Sequence, residues 1–189
     1  GGAGSIASAS NYPAYDWDSE ELFTNILITG NRATNENSHV GGIFFFFCNP
    51  ILKNVTISDN TAAVRSGGLS LMGSNPILVN TIIWDNSPDL IEFYLPENFP
   101  FPSNATITYS NIQGDTTWAG DGNINLDPLF TDPDNGDFSL QEDSPCIDTG
   151  TADLDGDGVD DINDYYGSAP DMGALEYGVL SIGYDIRIV

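Results

Sequence analysis

The stretch "NILITGN" at residues 25–31 recurs as "NVTISDN" at 54–60 and as "NTIIWDN" at 80–86, each time an Asn, a β-rich run and a closing Asn. A second set runs in step with it, "GGIFFFFCNPIL" from Gly41 and "GGLSLMGSNPIL" from Gly67. The separations Gly41 to Gly67, Asn49 to Asn75 and Asn54 to Asn80 are all 26 residues, so three separate markers advance by one period. The apolar stretches inside each unit are short, rich in Ile, Val, Phe and Thr, and punctuated by Gly-Gly, Asn-Pro and Asn. Helical repeats of this length would need apolar spacing sustained over roughly 10 residues, which is absent. The expected fold is all-β, a right-handed parallel β-helix (solenoid) whose coils stack, closed by an irregular C-terminal cap. Side chains alternate along a strand, so Val55 and Ile57 are expected in the bore and Thr56 and Ser58 outside. Asn31, Asn60 and Asn86 are expected to stack at one corner. Asn tolerates the left-handed conformation and can hydrogen-bond the same residue type on the neighbouring rung.

This register divides the chain. Residues 1–114 read as β-helix coils with loop insertions, 115–178 as a capping segment, and 179–189 as a tail. The opening "GGAGSI" resembles the Gly-Gly that starts the second half of a coil, so earlier coils and a continuation past the tail are expected in a longer protein. The acidic, aromatic stretch "NYPAYDWDSEELF" at 11–23 reads as a loop thrown out from the helix side, and "RATNENSHV" at 32–40 as a smaller insertion. After Asn86 the period loosens. "SPDLIEFYLPENFPFPSN" has strand potential around residues 90–95, and "ATITYSNIQG" resumes the pattern, with either Asn111 as a closing Asn or "SNI" starting a new coil.

Composition sets the function classes. The chain has 189 residues, enough for one domain that folds without disulfides or a cofactor. Against 28 Asp and Glu stand 4 Lys and Arg, a formal net charge of −24. Nucleic acid is excluded as a partner, because phosphate binding needs a basic face. Acidic polysaccharide is disfavoured unless metal ions intervene. No run of apolar residues is long enough to span a membrane. Cys48 and Cys146 sit in apolar company, as small buried hydrophobes or, alternatively, as one bridge.

From residue 115 onward the composition turns to Asp, Pro and Gly. In order come "DPLF", "GDFSL", "SPCIDTG" and "DMGALEY", preceded by "NTIIWDN" and "TYSNIQG". Over roughly residues 50–178 this set resembles the closing region of bacterial right-handed β-helix repeat proteins of the choice-of-anchor type. The resemblance implies a secreted or surface-attached protein, with a sorting or anchoring domain downstream. Open β-helix ends expose strand edges and bore residues, so terminal units must be atypical. Leu129, Phe130, Phe138, Leu140, Ile147, Met172 and Leu175 are expected to plug that end.

The sharpest motif is "DLDGDGVDDIND" at 153–164. It places Asp153, Asp155, Asp157, the Val159 carbonyl, Asp161 and Asp164 in the ligand order of a 12-residue calcium loop, with Gly158 at the sharp turn. Asp in the last position is similar to the calcium loops of dockerins. The flanks "DTGTA" and "YYGSAPD" do not fit a helix-loop-helix pair, and the resembled family has a "DLDG" turn here that need not hold metal. Calcium ligation and a solvated acidic loop both remain open, although clustered carboxylates repel one another unless a cation or water screens them.

Catalytic constellations are sparse. Lyases on this fold use a Lys or Arg base near calcium, and the chain offers only Arg32, Lys53, Arg65 and Arg187. Arg32 and Arg65 fall just after equivalent corner Asn residues, so they are candidates to hold a sugar carboxylate together. Asp59 and Asp85 occupy matching positions one coil apart, at a strand spacing of about 4.8 Å, but lack a third partner for glycoside hydrolysis. His39 has no Ser or Cys partner in view. Tyr12, Tyr15, Trp17 and Trp84 suit stacking on sugar rings, or packing on the helix wall. The expected function is a secreted or cell-surface module, adhesive, structural or carbohydrate-binding and stabilised by calcium, partnered by polysaccharide or cell-surface glycan. The alternative is the C-terminal part of a polysaccharide lyase or glycoside hydrolase whose active coils lie upstream.

Overall fold

The computed structural model describes residues 6–9, as backbone, and 21–179. Tyr12, Tyr15 and Trp17 of the expected side loop, the opening Gly-Gly and Arg187 lie outside the described residues. The described chain is all-β, with parallel strands wound into a solenoid of about four turns. One sheet carries β1 (Ile6–Ala9), β4 (Ile43–Phe46), β6 (Thr61–Met72) and β9 (Ser87–Phe93), with β3 (Arg32–Ala33) also paired to β6. The other stacks β2 (Leu22–Thr29) on β5 (Ile51–Ser58), then β7 (Ile77–Val79) with β8 (Ile82–Trp84), then β10 (Thr106–Thr108) with β11 (Asn111–Ile112).

The register shows both the repeat and its slack. Ile51 pairs with Ile77 and Ile43 with Leu69, each 26 residues on, whereas Leu22 to Ile51 and Ile77 to Thr106 take 29. Leu69 to Ile91 takes only 22, because β9 follows a shortened corner with irregular pairing to β6. The strands stay aligned because the length differences fall in turns, such as the insertion after β3. Asn111 pairs with Ile82, so "SNI" opens a strand segment and Asn111 is not a closing Asn.

The bore is built as columns. Ile28, Ile57, Ile83 and Ile112 occupy one register position, and Leu52, Leu78 and Ile107 another. Val55, Phe45 and Leu71 are also in this core cluster. Fully burying each such side chain contributes about 1.5–3 kcal/mol. At the corner, Asn31 donates from both its backbone and side-chain nitrogens to Oδ1 of Asn60, and Asn60 repeats this toward Asn86. The expected Asn stack therefore forms. Its conformational reason differs: the left-handed residues are Gly30, Asp59 and Asp85, each just before a closing Asn, and the opening Asn25, Asn54 and Asn80. The closing Asn is selected by the ladder alone.

Gly-Gly marks a close approach between coils. A Cβ on Gly67 would sit 2.3 Å from the Asn60 carbonyl and 2.4 Å from Ser87 backbone atoms, and one on Gly42 would sit 2.4 Å from the Gly68 carbonyl.

The C-terminal segment departs from the expected plug. Along the second sheet Leu27, Thr56, Ile82 and Asn111 share one register position and point away from the bore. Phe130, Phe138, Leu140, Cys146 and Met172 bury against Ile82 in a second core, with Leu27, Trp84 and Ile147 at its margin. These residues cover the flank of the solenoid instead of its end, while Leu129 and Leu175 are only half-buried. Thr56 and Ser58 face outward as expected yet are 2% exposed, because the segment lies over them. The end is closed by earlier residues. Trp118 packs on the bore core and stacks with Phe93 at 6.2 Å, and Ile124 bridges to Asn111 beside the last rung.

Candidate functional site

The flank segment begins with a hairpin, β12 (Phe130–Asp132) antiparallel to β13 (Asp137–Leu140), turned through left-handed Gly136. Beyond it the chain runs back against the coil order. The Asn111 amide donates to the Leu126 carbonyl and to Cys146 Sγ. One rung earlier, Asn80 Nδ2 donates to the Thr151 carbonyl at 2.8 Å while its Oδ1 accepts the Thr151 N–H at 2.8 Å, and its carbonyl accepts the Gly173 N–H. One rung earlier again, Thr56 Oγ1 accepts the Ala174 N–H at 3.0 Å. The segment is a strap across three coils. Cys48 and Cys146 are both buried and are not bridged to each other, and burial pushes the Cys146 thiol up to about 11 despite the Asn111 hydrogen bond.

The acidic loop grows from the middle of this strap. Ala152 is buried, and its carbonyl accepts the N–H groups of Asp161 and Ile162, pinning both ends of the loop at one root beside Asn80. Within the loop, Asp153 accepts from the Gly156 and Gly158 N–H groups, and Asp161 Oδ2 from that of Leu154. Gly156 and Gly158 take φ of 77° and 86° with open space around them, which bends the loop inward. Carboxylate oxygens of Asp153, Asp155 and Asp161 consequently lie within 4.8 Å of one another. Oxygens sharing a calcium ion at 2.3–2.6 Å stand no farther apart than about 5 Å, so this donor set fits a hard cation. The carboxylates of Asp157 and Asp164 are not in that trio. Asp157 Oδ1 accepts the Val159 N–H, Val159 is exposed, and Asp164 is exposed outside the group.

A further set of carboxylates holds the strap end. Asp171, 1% exposed, accepts the N–H groups of Asp148 and Tyr177, and Glu176 accepts those of Asp171 and Tyr166. Burial pushes both carboxyls above their ordinary range, with nearby negative charge adding to it and these hydrogen bonds opposing it. Their folded pKa values exceed the unfolded ones, so their contribution to stability is full below the ordinary carboxylate range and is lost as pH rises through the folded values. In calcium-free buffer the melting temperature is therefore expected to rise as pH is lowered from 7 toward the carboxylate range, and Glu176→Gln should flatten that rise. Parallel pH profiles of the two proteins would contradict this assignment.

Two of the residues weighed for catalysis, Arg32 and Arg65, are engaged elsewhere. Arg32 forms an ion pair with Asp59 at 2.7 Å and also donates to the Asp59 carbonyl and to Thr61 Oγ1. Arg65 lies 3.4 Å over the Tyr94 ring with Glu92 at 3.8 Å. Each guanidinium is thus held by its own carboxylate, which weighs against a shared grip on a sugar acid. His39 contributes its carbonyl to Ser66, within the insertion loop.

No family model matches the chain, and neither does any curated protein or solved structure.

Proposed function

We propose that the chain is a non-catalytic, carbohydrate-binding or adhesive module of a bacterial extracellular or cell-surface protein, in which calcium locks the strap onto the solenoid. The observation that carries the reading is the Asp153, Asp155 and Asp161 trio, rooted on a strap that hydrogen-bonds Asn80. When bound, calcium would neutralise these carboxylates and tie the loop into one conformation. The chain's own part is to preset the carboxylates through backbone N–H groups and to couple the loop root to the coil wall. The closing motifs and the strong negative charge support an extracellular setting, where calcium sites work at about 10⁻⁴–10⁻³ M.

A thermal melt tests this. With calcium at about 100 times its dissociation constant, linkage gives about 2.7 kcal/mol, or roughly 5–10 °C for a chain of this size. Asp155→Asn should abolish most of the shift, whereas Asp160→Asn, outside the trio, should keep it. No calcium-dependent shift in the parent protein, or equal loss in both variants, would overturn the reading.

A further inference from the structure

Between the β12–β13 hairpin and the Asn-ladder corner runs a groove of two adjoining cavities, about 260 and 520 Å³, which share Asp59, Pro133 and Asp134. Together they fall in the size range of small-ligand sites. The smaller is lined by Asp59, Trp84, Asp85, Asp127, Asp134 and Gln141. The strap brings Asp127 and Asp134 to the pair Asp59 and Asp85, which stand one coil apart. Of these four carboxylates only Asp59 has an ion-pair partner among the described residues, Arg32, which also lines the larger cavity. Asp85, Asp127 and Asp134 thus meet in one cavity without a cation. Trp84 is half-buried at the cavity wall, and its indole N–H makes no hydrogen bond among the described residues, leaving a ring and a donor for a ligand. Gln141 is fixed by donating to the Phe130 carbonyl at 2.8 Å, so the cavity wall is already organised.

We infer that this groove binds an oligosaccharide carrying free amino groups. The inference rests on the carbohydrate-binding role proposed above and narrows its ligand class. An acidic glycan would bring further negative charge against unneutralised carboxylates. A neutral one would offer them hydroxyl hydrogen bonds but leave their mutual repulsion in place, which a neighbouring ammonium relieves. The same ammonium, or the apolar face of the pyranose ring beside it, is suited to the Trp84 ring. The carboxylates accept hydrogen bonds from hydroxyl and ammonium groups alike.

The test is titration calorimetry of the intact chain, in saturating calcium, with a glucosamine trimer, its fully N-acetylated counterpart and a galacturonic acid trimer. The glucosamine trimer is expected to bind at least tenfold more tightly than the acetylated one and to weaken as salt is raised. The galacturonic acid trimer is expected to give no heat. Asp127→Asn and Asp85→Asn should each weaken the glucosamine trimer about fivefold or more with melting temperatures unchanged, while Asp137→Asn, outside the groove, should bind as the parent does. Equal affinity for the amino and acetylated trimers, binding insensitive to salt, unaltered binding by both groove variants, or no binding of any trimer would each overturn the inference. The calcium-dependent melt is read independently of these outcomes, so failure here and failure of the calcium reading are separable.

Discussion

Asn60→Ala is expected to lower the unfolding free energy by about 3–5 kcal/mol, read from a urea midpoint at unchanged slope. Asn60 is fully buried, and its side chain serves two coils at once. Its Oδ1 accepts from both nitrogens of Asn31, and its Nδ2 donates to the Ile28 carbonyl at 2.8 Å and to Asn86 Oδ1 at 2.9 Å. Truncation leaves the Ile28 carbonyl and the corner N–H of Asn31 without these partners, and each stranded buried group costs about 1–3 kcal/mol. Asn31→Ala, at the half-exposed end of the described ladder, should cost closer to about 1 kcal/mol. If Asn60→Ala changed stability by less than about 0.5 kcal/mol, the ladder would not be holding the corner.

Gly67→Ala is the second large effect: a loss of at least about 3 kcal/mol, or failure to fold, measured by thermal unfolding and soluble yield. The added methyl would meet Asn60 O at 2.3 Å and Ser87 N and O at 2.4 Å. All three are backbone atoms, Asn60 of the same coil and Ser87 of the next, which stands at a rung spacing of about 4.8 Å, so no side chain can swing away. Gly30→Ala is the informative comparison. Gly30 has open space around it but a φ of +68°, so only the left-handed penalty of about 1–2 kcal/mol applies there. A Gly67→Ala protein that melts with the parent would mean that the coils do not approach in this way.

These two positions also show how much was legible beforehand. Gly67 and Asn60 belong to markers spaced by a fixed period, and a solenoid turns such a period directly into a stack. The bore followed from the alternation of Val55 and Ile57 with Thr56 and Ser58. The path of the C-terminal segment was not legible in the same way. Whether Phe130, Phe138 and Met172 seal an end or a flank depends on which apolar surface they meet, and nothing in their spacing distinguishes Ile82, facing out, from Ile83, facing in. Trp118 reaches the end first and leaves the flank to the strap. The acidic groove was hidden for the same reason, since Asp127 and Asp134 approach Asp59 and Asp85 only through that long-range return. The acidic loop was half-legible. Ligand spacing named six positions, while the local hydrogen bonding that turns Asp157 toward Val159 and leaves Asp164 outside the trio appears only in three dimensions.

The claim on which function turns is that calcium at the loop secures the strap to the coils. Amide hydrogen exchange with calcium and in calcium-free buffer measures it most directly. Calcium should slow exchange roughly tenfold or more at Gly156 and Gly158, which donate to Asp153, and at Thr151, Gly173 and Ala174, which donate to Asn80 and Thr56. The ladder amides of Asn60 and Ser87 should exchange at the same rate in both conditions. Exchange at Thr151, Gly173 and Ala174 that ignores calcium would contradict the account.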